Sequence, residues 1–170
     1  MIQDFDHIAT AYDQDFTISA IGTAQRQLVY FGLDQVITQW DNLSVLELNC
    51  GTGEDALYFS KKGAQVLATD ISSEMINVAH KKTADFNNVR CQVADINQLE
   101  NDVPNQTFDL IFSNFGGLNC LSPKEMEAFI QVCAKKLNPE GKLAFVIMPE
   151  FCAWEALYFL SKLKFSKAFR

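Results

Sequence analysis

Three places in this 170-residue chain set polar residues where a small molecule could be held: Asn49-Cys50-Gly51-Thr52-Gly53, Asp70 and Asp95. Gly51-Thr52-Gly53-Glu54-Asp55-Ala56 fits the Gly-x-Gly-x-x-Gly/Ala loop of nucleotide sites, and Asp70 follows 19 residues after Gly51. Taken alone, the loop fits a plain tight turn as well. A carboxylate in the position of Asp70 can accept two hydrogen bonds from vicinal ribose hydroxyls. Asp95 could accept one from an adenine amino group, with Ile96 packing on the ring. Glu54 and Asp55 stand at the helix start, where a dinucleotide would rest its pyrophosphate on free backbone amides. They suit the positive end of the helix dipole and make poor company for a diphosphate. A nucleoside without phosphates, carrying a cationic centre, fits better.

The elements that must position these residues follow from hydrophobic spacing and caps. Leu28, Val29, Val36, Ile37 and Trp40 recur at helical spacing within residues 21–40. Leu43–Leu48 reads as a buried strand that runs into the glycine loop. Glu54 and Asp55 open a helix that Gly63 stops, with Lys61 and Lys62 near its negative end. Gln65–Thr69 is a second strand, and Ser72 caps a helix to about Lys82. Val89–Ala94 and Phe108–Phe112 are the third and fourth strands. Ser122-Pro123-Lys124-Glu125 combines a capping box with proline at the first helical position. Met126, Phe129, Ile130, Cys133 and Leu137 supply the apolar face of that helix. Asn138-Pro139-Glu140-Gly141 is expected to stop it, and Leu143–Met148 to form a fifth strand. Such alternation predicts βαβ units, hence a mostly parallel sheet covered on both faces. Ligands of these sheets lie at the carboxyl ends of the strands, near the topological switch point. The residues singled out by their chemistry fall there.

With these residues in place, the chain resembles the class I S-adenosylmethionine-dependent methyltransferases. Glu47-Leu48-Asn49-Cys50-Gly51-Thr52-Gly53 is similar to the first motif of that family, an acid followed by glycines at alternate positions. Asn49 departs from it, standing where the family has its first glycine; asparagine tolerates left-handed backbone angles better than most residues. Asp70, followed by Ile71, resembles the ribose-binding acid. Ala94-Asp95-Ile96 resembles the adenine-binding segment, and Ser113-Asn114-Phe115-Gly116 the stretch that borders the methionyl group and the substrate. Leu137 to Leu143 is similar to the lead-in to the fifth strand. Phe5-Asp6-His7-Ile8-Ala9 and Tyr12-Asp13 resemble a segment that folds over the cofactor. The resemblance covers about residues 5–150.

It implies a Rossmann-like α/β three-layer sandwich with a mostly parallel sheet, about five strands of which are present. S-adenosyl-L-methionine would be the methyl donor and S-adenosyl-L-homocysteine the product. Glu47, Asn49, Gly51, Gly53, Asp70, Ile71, Asp95, Ile96 and Asn114 would hold the cofactor. Asn114 and Tyr12 would line the methyl-transfer site. His7 stands as a candidate base or as a histidine without a role, and His80 is assigned none. The core would span residues 1–150, with a helical lid over about 1–40. Residues 151–170 would begin a substrate-cap helical segment. The family's sheet typically has seven strands, so the last two are expected to be missing through truncation, the alternative being a naturally short protein with a C-terminal amphipathic helix suited to a membrane surface. The expectation is cofactor binding with little or no methyl transfer.

Composition narrows the partners. The chain is 48% apolar with a formal net charge of −7. Four of its 14 basic residues, Lys162, Lys164, Lys167 and Arg170, lie in the last nine positions, so residues 1–161 carry 10 basic against 21 acidic residues. That balance argues against nucleic acid, which needs clustered Lys and Arg. The absence of an Asn-Pro-Pro-Tyr motif at Asn114 points the same way. A small-molecule acceptor remains. No apolar run approaches the ~20 residues of a membrane span, and the N-terminus lacks the pattern of a signal peptide; a cytoplasmic protein is expected. Five cysteines without a CxxC pair favour neither a disulfide framework nor a zinc site, and no metal is expected. Trp154, Leu157, Tyr158, Leu160, Phe165 and Phe169 form an apolar C-terminal segment suited to self-association. Two further readings are a non-catalytic S-adenosylmethionine-binding protein and a NAD-dependent Rossmann oxidoreductase. Glu54, Asp55 and Asp95 count against the oxidoreductase.

Overall fold

The computed structural model describes residues 18–149. The expected positions of Tyr12, His7 and the segment 151–170 lie outside the described residues. Five parallel strands form one sheet in the order β3-β2-β1-β4-β5. They are β1 (Ser44–Leu48), β2 (Gln65–Asp70), β3 (Val89–Val93), β4 (Phe108–Ser113) and β5 (Leu137–Phe145). The helices are α1 (Ala20–Val36), α2 (Glu54–Lys61), α3 (Ser73–Lys82), α4 (Leu99–Asp102) and α5 (Pro123–Lys136). The order of the strands reverses between β1 and β4, so the switch point lies between their carboxyl ends.

Alternation along each strand divides the core. Val45, Val66, Ala68, Leu110 and Phe112 pack under Leu33 and Ile37, Ala56 and Phe59 of α2, and Ile76 and Ala79 of α3. Leu46, Leu48, Leu67 and Ile111 face the other way, onto Leu99, Val103 and the α5 residues Phe129 and Cys133. A parallel sheet buried on both faces needs such continuous apolar runs. Phe59 joins the helix layer to the sheet, edge-on to Phe112 at 5.1 Å and stacked on Trp40 at 5.4 Å.

The caps form as their residue types demand. Ser72 Oγ accepts from the Met75 amide at 3.1 Å. Ser122 and Glu125 make the reciprocal capping box, with Pro123 opening the helix. Gly63 ends the α2 segment at φ +93°, where a Cβ would lie 2.7 Å from Asp41 Oδ1.

Two elements differ from expectation. The inner face of α1 is made by Gly22, Arg26 and Leu33, while Leu28 and Val36 are exposed. Asn138–Gly141 does not separate α5 from the last strand. β5 begins at Leu137, paired with Phe108, and the register then jumps so that Lys142 faces Leu110. The four residues bulge within the strand, with Glu140 at φ +67°. Asn138 Nδ2 donates to Asp109 Oδ1 at 2.7 Å, which anchors the bulge to β4.

Candidate functional site

The loops after β1, β2 and β4 and the middle of α1 enclose a cavity of about 290 Å³ at the switch point. That is near the lower end of the range for small-molecule sites. A shallower depression at the amino ends of the strands, lined by Ser44, Gln65, Asn88 and Arg90 among others, shares none of these loops.

On the β1–β2 side, Asn49, Cys50, Gly51, Asp70, Ile71 and Met75 line the cavity. The Asp70 carboxylate is held by backbone. Gly51 N donates to Oδ2 and Ser72 N to Oδ1, both at 2.9 Å. Gly51 adopts φ +53°, and a Cβ there would meet nothing within 4 Å. A side chain at Gly51 would therefore enter free space beside the cavity rather than a packed wall. Gly53 has another reason for its type: at φ +77° its Cβ would stand 2.8 Å from Ala79 Cβ. It lets the loop pack on α3 and does not line the cavity.

On the β4 side, Asn114, Phe115, Gly116, Gly117 and Cys120 line the cavity with Arg26 and Asp55. Asp55 is the node of this half and is 4% exposed. Arg26 Nε and Tyr30 Oη donate to its Oδ1 at 3.0 and 2.5 Å, and Asn114 Nδ2 donates to Oδ2 at 3.1 Å. The Arg26 guanidinium lies over the Phe115 ring at 4.6 Å, and its Nη1 is buried without a hydrogen-bond partner. Asp55 is thus far more than a dipole partner, the role its place in the sequence suggested. It joins α1, α2 and the β4 loop. Glu54 is held instead by Lys82 Nζ at 3.2 Å.

Glu47 lies beneath the cavity at 1% exposure, with Oε2 buried and unpartnered. Burial raises its carboxyl well above the usual range; the Asp55 charge adds to this and Arg26 opposes it. Burial first, then the Asp55 carboxylate, pushes the Tyr30 phenol up. The Cys50 thiol is raised by burial and by Glu47.

Of the residues expected at the site, Asn49, Gly51, Asp70, Ile71 and Asn114 meet at the cavity. Glu47 and Gly53 support it from behind. Asp95 and Ile96 stand apart from its lining. Asp95 caps a 3-10 turn over Ile96–Gln98, its Oδ1 accepting from Asn97 N at 2.8 Å. Arg26 and Met75 escaped sequence reasoning. Arg26 is a lone cation on an otherwise ordinary helix, and only the pairing with Asp55 across 29 residues reveals it. Among the described residues no group of three or more His, Cys, Asp or Glu could hold a metal ion, and no helix is long and apolar enough to cross a membrane. Cys50, Cys91, Cys120 and Cys133 are free thiols.

Comparison with known proteins defines the class. The sequence profile described as "Methyltransferase domain" matches residues 45–141, from β1 into β5. The chain belongs to this family, and its fold is that of the class I S-adenosylmethionine-dependent methyltransferases. The chain is 32% identical over 116 residues to the phosphoethanolamine N-methyltransferase of Plasmodium falciparum, covering 68% of this chain and 41% of that one. It is 27% identical over 140 residues to the demethylmenaquinone methyltransferase of Clavibacter sepedonicus, covering 82% and 54%. The chain spans about half the length of the curated relatives it matches. Among solved structures, the DhpI–SAM–HEP complex superposes with a TM-score of 0.72 at 23% identity, over 92% of this chain and 68% of that one.

Proposed function

We propose that this chain binds S-adenosylmethionine and S-adenosylhomocysteine in the switch-point cavity and serves methyl transfer to a small-molecule acceptor. The observation that carries the reading is the Asp70 carboxylate, held by two backbone amides beside the open Gly51 loop. A carboxylate at the end of this strand is placed to accept from two vicinal ribose hydroxyls. Ile71 and Met75 offer apolar contact next to it. Asp95, with Oδ1 engaged by Asn97, is assigned the adenine amino group through its other oxygen, with Ile96 against the ring.

When bound, S-adenosylmethionine supplies a methyl group on a sulfonium, displaced in line by the acceptor. Alignment then carries much of the acceleration, with effective molarities on the order of 10⁵ M or more in favourable cases. The residues here serve that need. In the lining Asp55 and Asp70 outnumber Arg26, so the cavity favours a cationic ligand over a diphosphate. Asp55 fixes the amide of Asn114, which we assign to the border between methyl group and acceptor. Tyr12 is assigned to the same border. Relatives named for phosphoethanolamine and demethylmenaquinone support an acceptor smaller than a nucleic acid. A cytoplasmic location belongs to the same proposal.

Calorimetry with S-adenosylmethionine, S-adenosylhomocysteine and NAD tests this. Saturable heat is expected with the first two. Saturable NAD binding with neither of the others would overturn the reading in favour of an oxidoreductase.

A further inference from the structure

The loops leaving β1 and β4 flank the switch point, and they meet through Asn49 and Gly117. Leu48 pairs with Ser113 at the ends of the two strands, so Asn49 follows one strand just as Asn114 follows the other. Asn49 adopts φ +54°, a left-handed conformation that asparagine accepts at small penalty. Its Nδ2 lies 3.4 Å from Ser113 Oγ. The closer fit is with Gly117. A Cβ on Gly117 would stand 2.6 Å from Asn49 Nδ2, 2.7 Å from its Cβ and 2.8 Å from its Cγ. Asn49 Cβ is fixed by the backbone and cannot swing away. Gly117 is not among the glycines with positive φ, so no backbone strain requires glycine there. What requires it is the Asn49 side chain. Conversely, glycine at position 49, as in the usual first motif, would leave that space without a filling side chain.

From this reciprocal fit we propose that Asn49 and Gly117 form a clasp that fixes the β4 loop against the glycine loop, making Asn49 a positioning residue for Asn114 and Phe115. The clasp itself follows from packing. Its consequence for ligand binding rests on the methyltransferase reading, because Asn114 and Phe115 line the cavity opposite Gly51 and Asp70. The Asp55 bond holds the Asn114 amide from the helix side, while the clasp holds its loop from the β1 side.

Four proteins test the proposal: the parent chain, Asn49→Gly, Gly117→Ala and the double variant. Two readouts apply, S-adenosylhomocysteine affinity by calorimetry and hydrogen exchange at the Gly116 and Asn119 amides. Those amides donate to Val146 O at 3.0 Å and Gly116 O at 2.8 Å and so report the β4 loop. Gly117→Ala should weaken affinity at least tenfold and speed loop exchange, and Asn49→Gly added to it should restore affinity to within threefold of Asn49→Gly alone. Asn49→Gly by itself should speed loop exchange at least fivefold, with amides of β1 and β2 unchanged. Such a local response is not what a general loss of stability would give. Gly117→Ala within twofold of the parent on both readouts, or no restoration in the double variant, overturns the clasp. Should Gly117→Ala fail to fold, recovery of cooperative unfolding in the double variant supports the clasp and its absence overturns it. If the parent binds no S-adenosylhomocysteine, the methyltransferase reading fails and the exchange data alone decide the clasp.

Discussion

The two halves of the cavity are built by different means. On the β1–β2 side, Asp70 is held by amides 19 residues before it and two after it, both in the loops that these strands must make. On the β4 side, Asp55 gathers Arg26, Tyr30 and Asn114 from α1 and from the β4 loop, at separations of 29, 25 and 59 residues. The first half comes with the backbone of two adjacent βα turns. The second exists only when three separate elements have docked. Under the function proposed above, the nucleoside would meet the half held by backbone, and the acceptor the half that depends on side-chain partners. Substitutions should therefore weaken ligand binding in one half and folding in the other.

The largest effect is expected from Asp55→Ala. It strands the Arg26 guanidinium, whose side chain is 9% exposed, along with the Tyr30 hydroxyl and the Asn114 amide. Removing one partner of a buried pair costs about 3–5 kcal/mol. Urea denaturation would show it, and a loss under 1 kcal/mol would mean that the network is no structural node.

Asp70→Ala should act on the other half and in the other way. Cofactor affinity should fall by about 1.5–3 kcal/mol, the range for hydrogen bonds to a charged group, with cooperative unfolding retained. Calorimetry against S-adenosylhomocysteine measures the first and denaturation the second. Unaltered affinity would remove Asp70 from the ribose assignment.

Glu47 lies under both halves, and its response is one of pH. Its carboxyl is raised from an ordinary value of 4.5 by burial foremost. The folded chain keeps a proton that the unfolded chain has released, so stability declines as pH rises from about 4.5 through the raised folded value. Glu47→Gln removes that decline. The variant should gain on the parent by about 1–3 kcal/mol at pH 8, the penalty of a buried unsatisfied group, and by much less at pH 4. Denaturation curves at both pH values give the comparison, and parallel profiles would place the charge elsewhere.

The smallest effect belongs to Tyr30→Phe, which removes one donor to Asp55 and leaves Arg26 and Asn114 in place. About 1 kcal/mol of stability should go, less than the usual range for a hydrogen bond to a charged group, because Arg26 and Asn114 still satisfy the Asp55 carboxylate. Combining it with Asn114→Ala would show whether the network is coupled, since partners of one carboxylate should not add independently.

What the sequence by itself determined is local. Ser72 and Ser122 announced their helices because a side-chain oxygen next to free amides caps regardless of the rest of the fold. Asp70 was legible for the same reason, as a carboxylate at a strand end whose partners lie in the neighbouring turns. Gly53 was legible as a glycine but not for its purpose, since contact with Ala79 depends on how α3 lies across the loop. Asn138–Gly141 read as a stop signal, although pairing with β4 begins at Leu137 and absorbs the turn as a bulge. Only the tertiary structure decided that β4 lies beside β1, and with it the meeting of Arg26 with Asp55, of Asp55 with Asn114 and of Asn49 with Gly117. Caps and periodicity act within a few residues of chain, whereas these contacts arise from the order in which strands lie side by side, which no local spacing encodes.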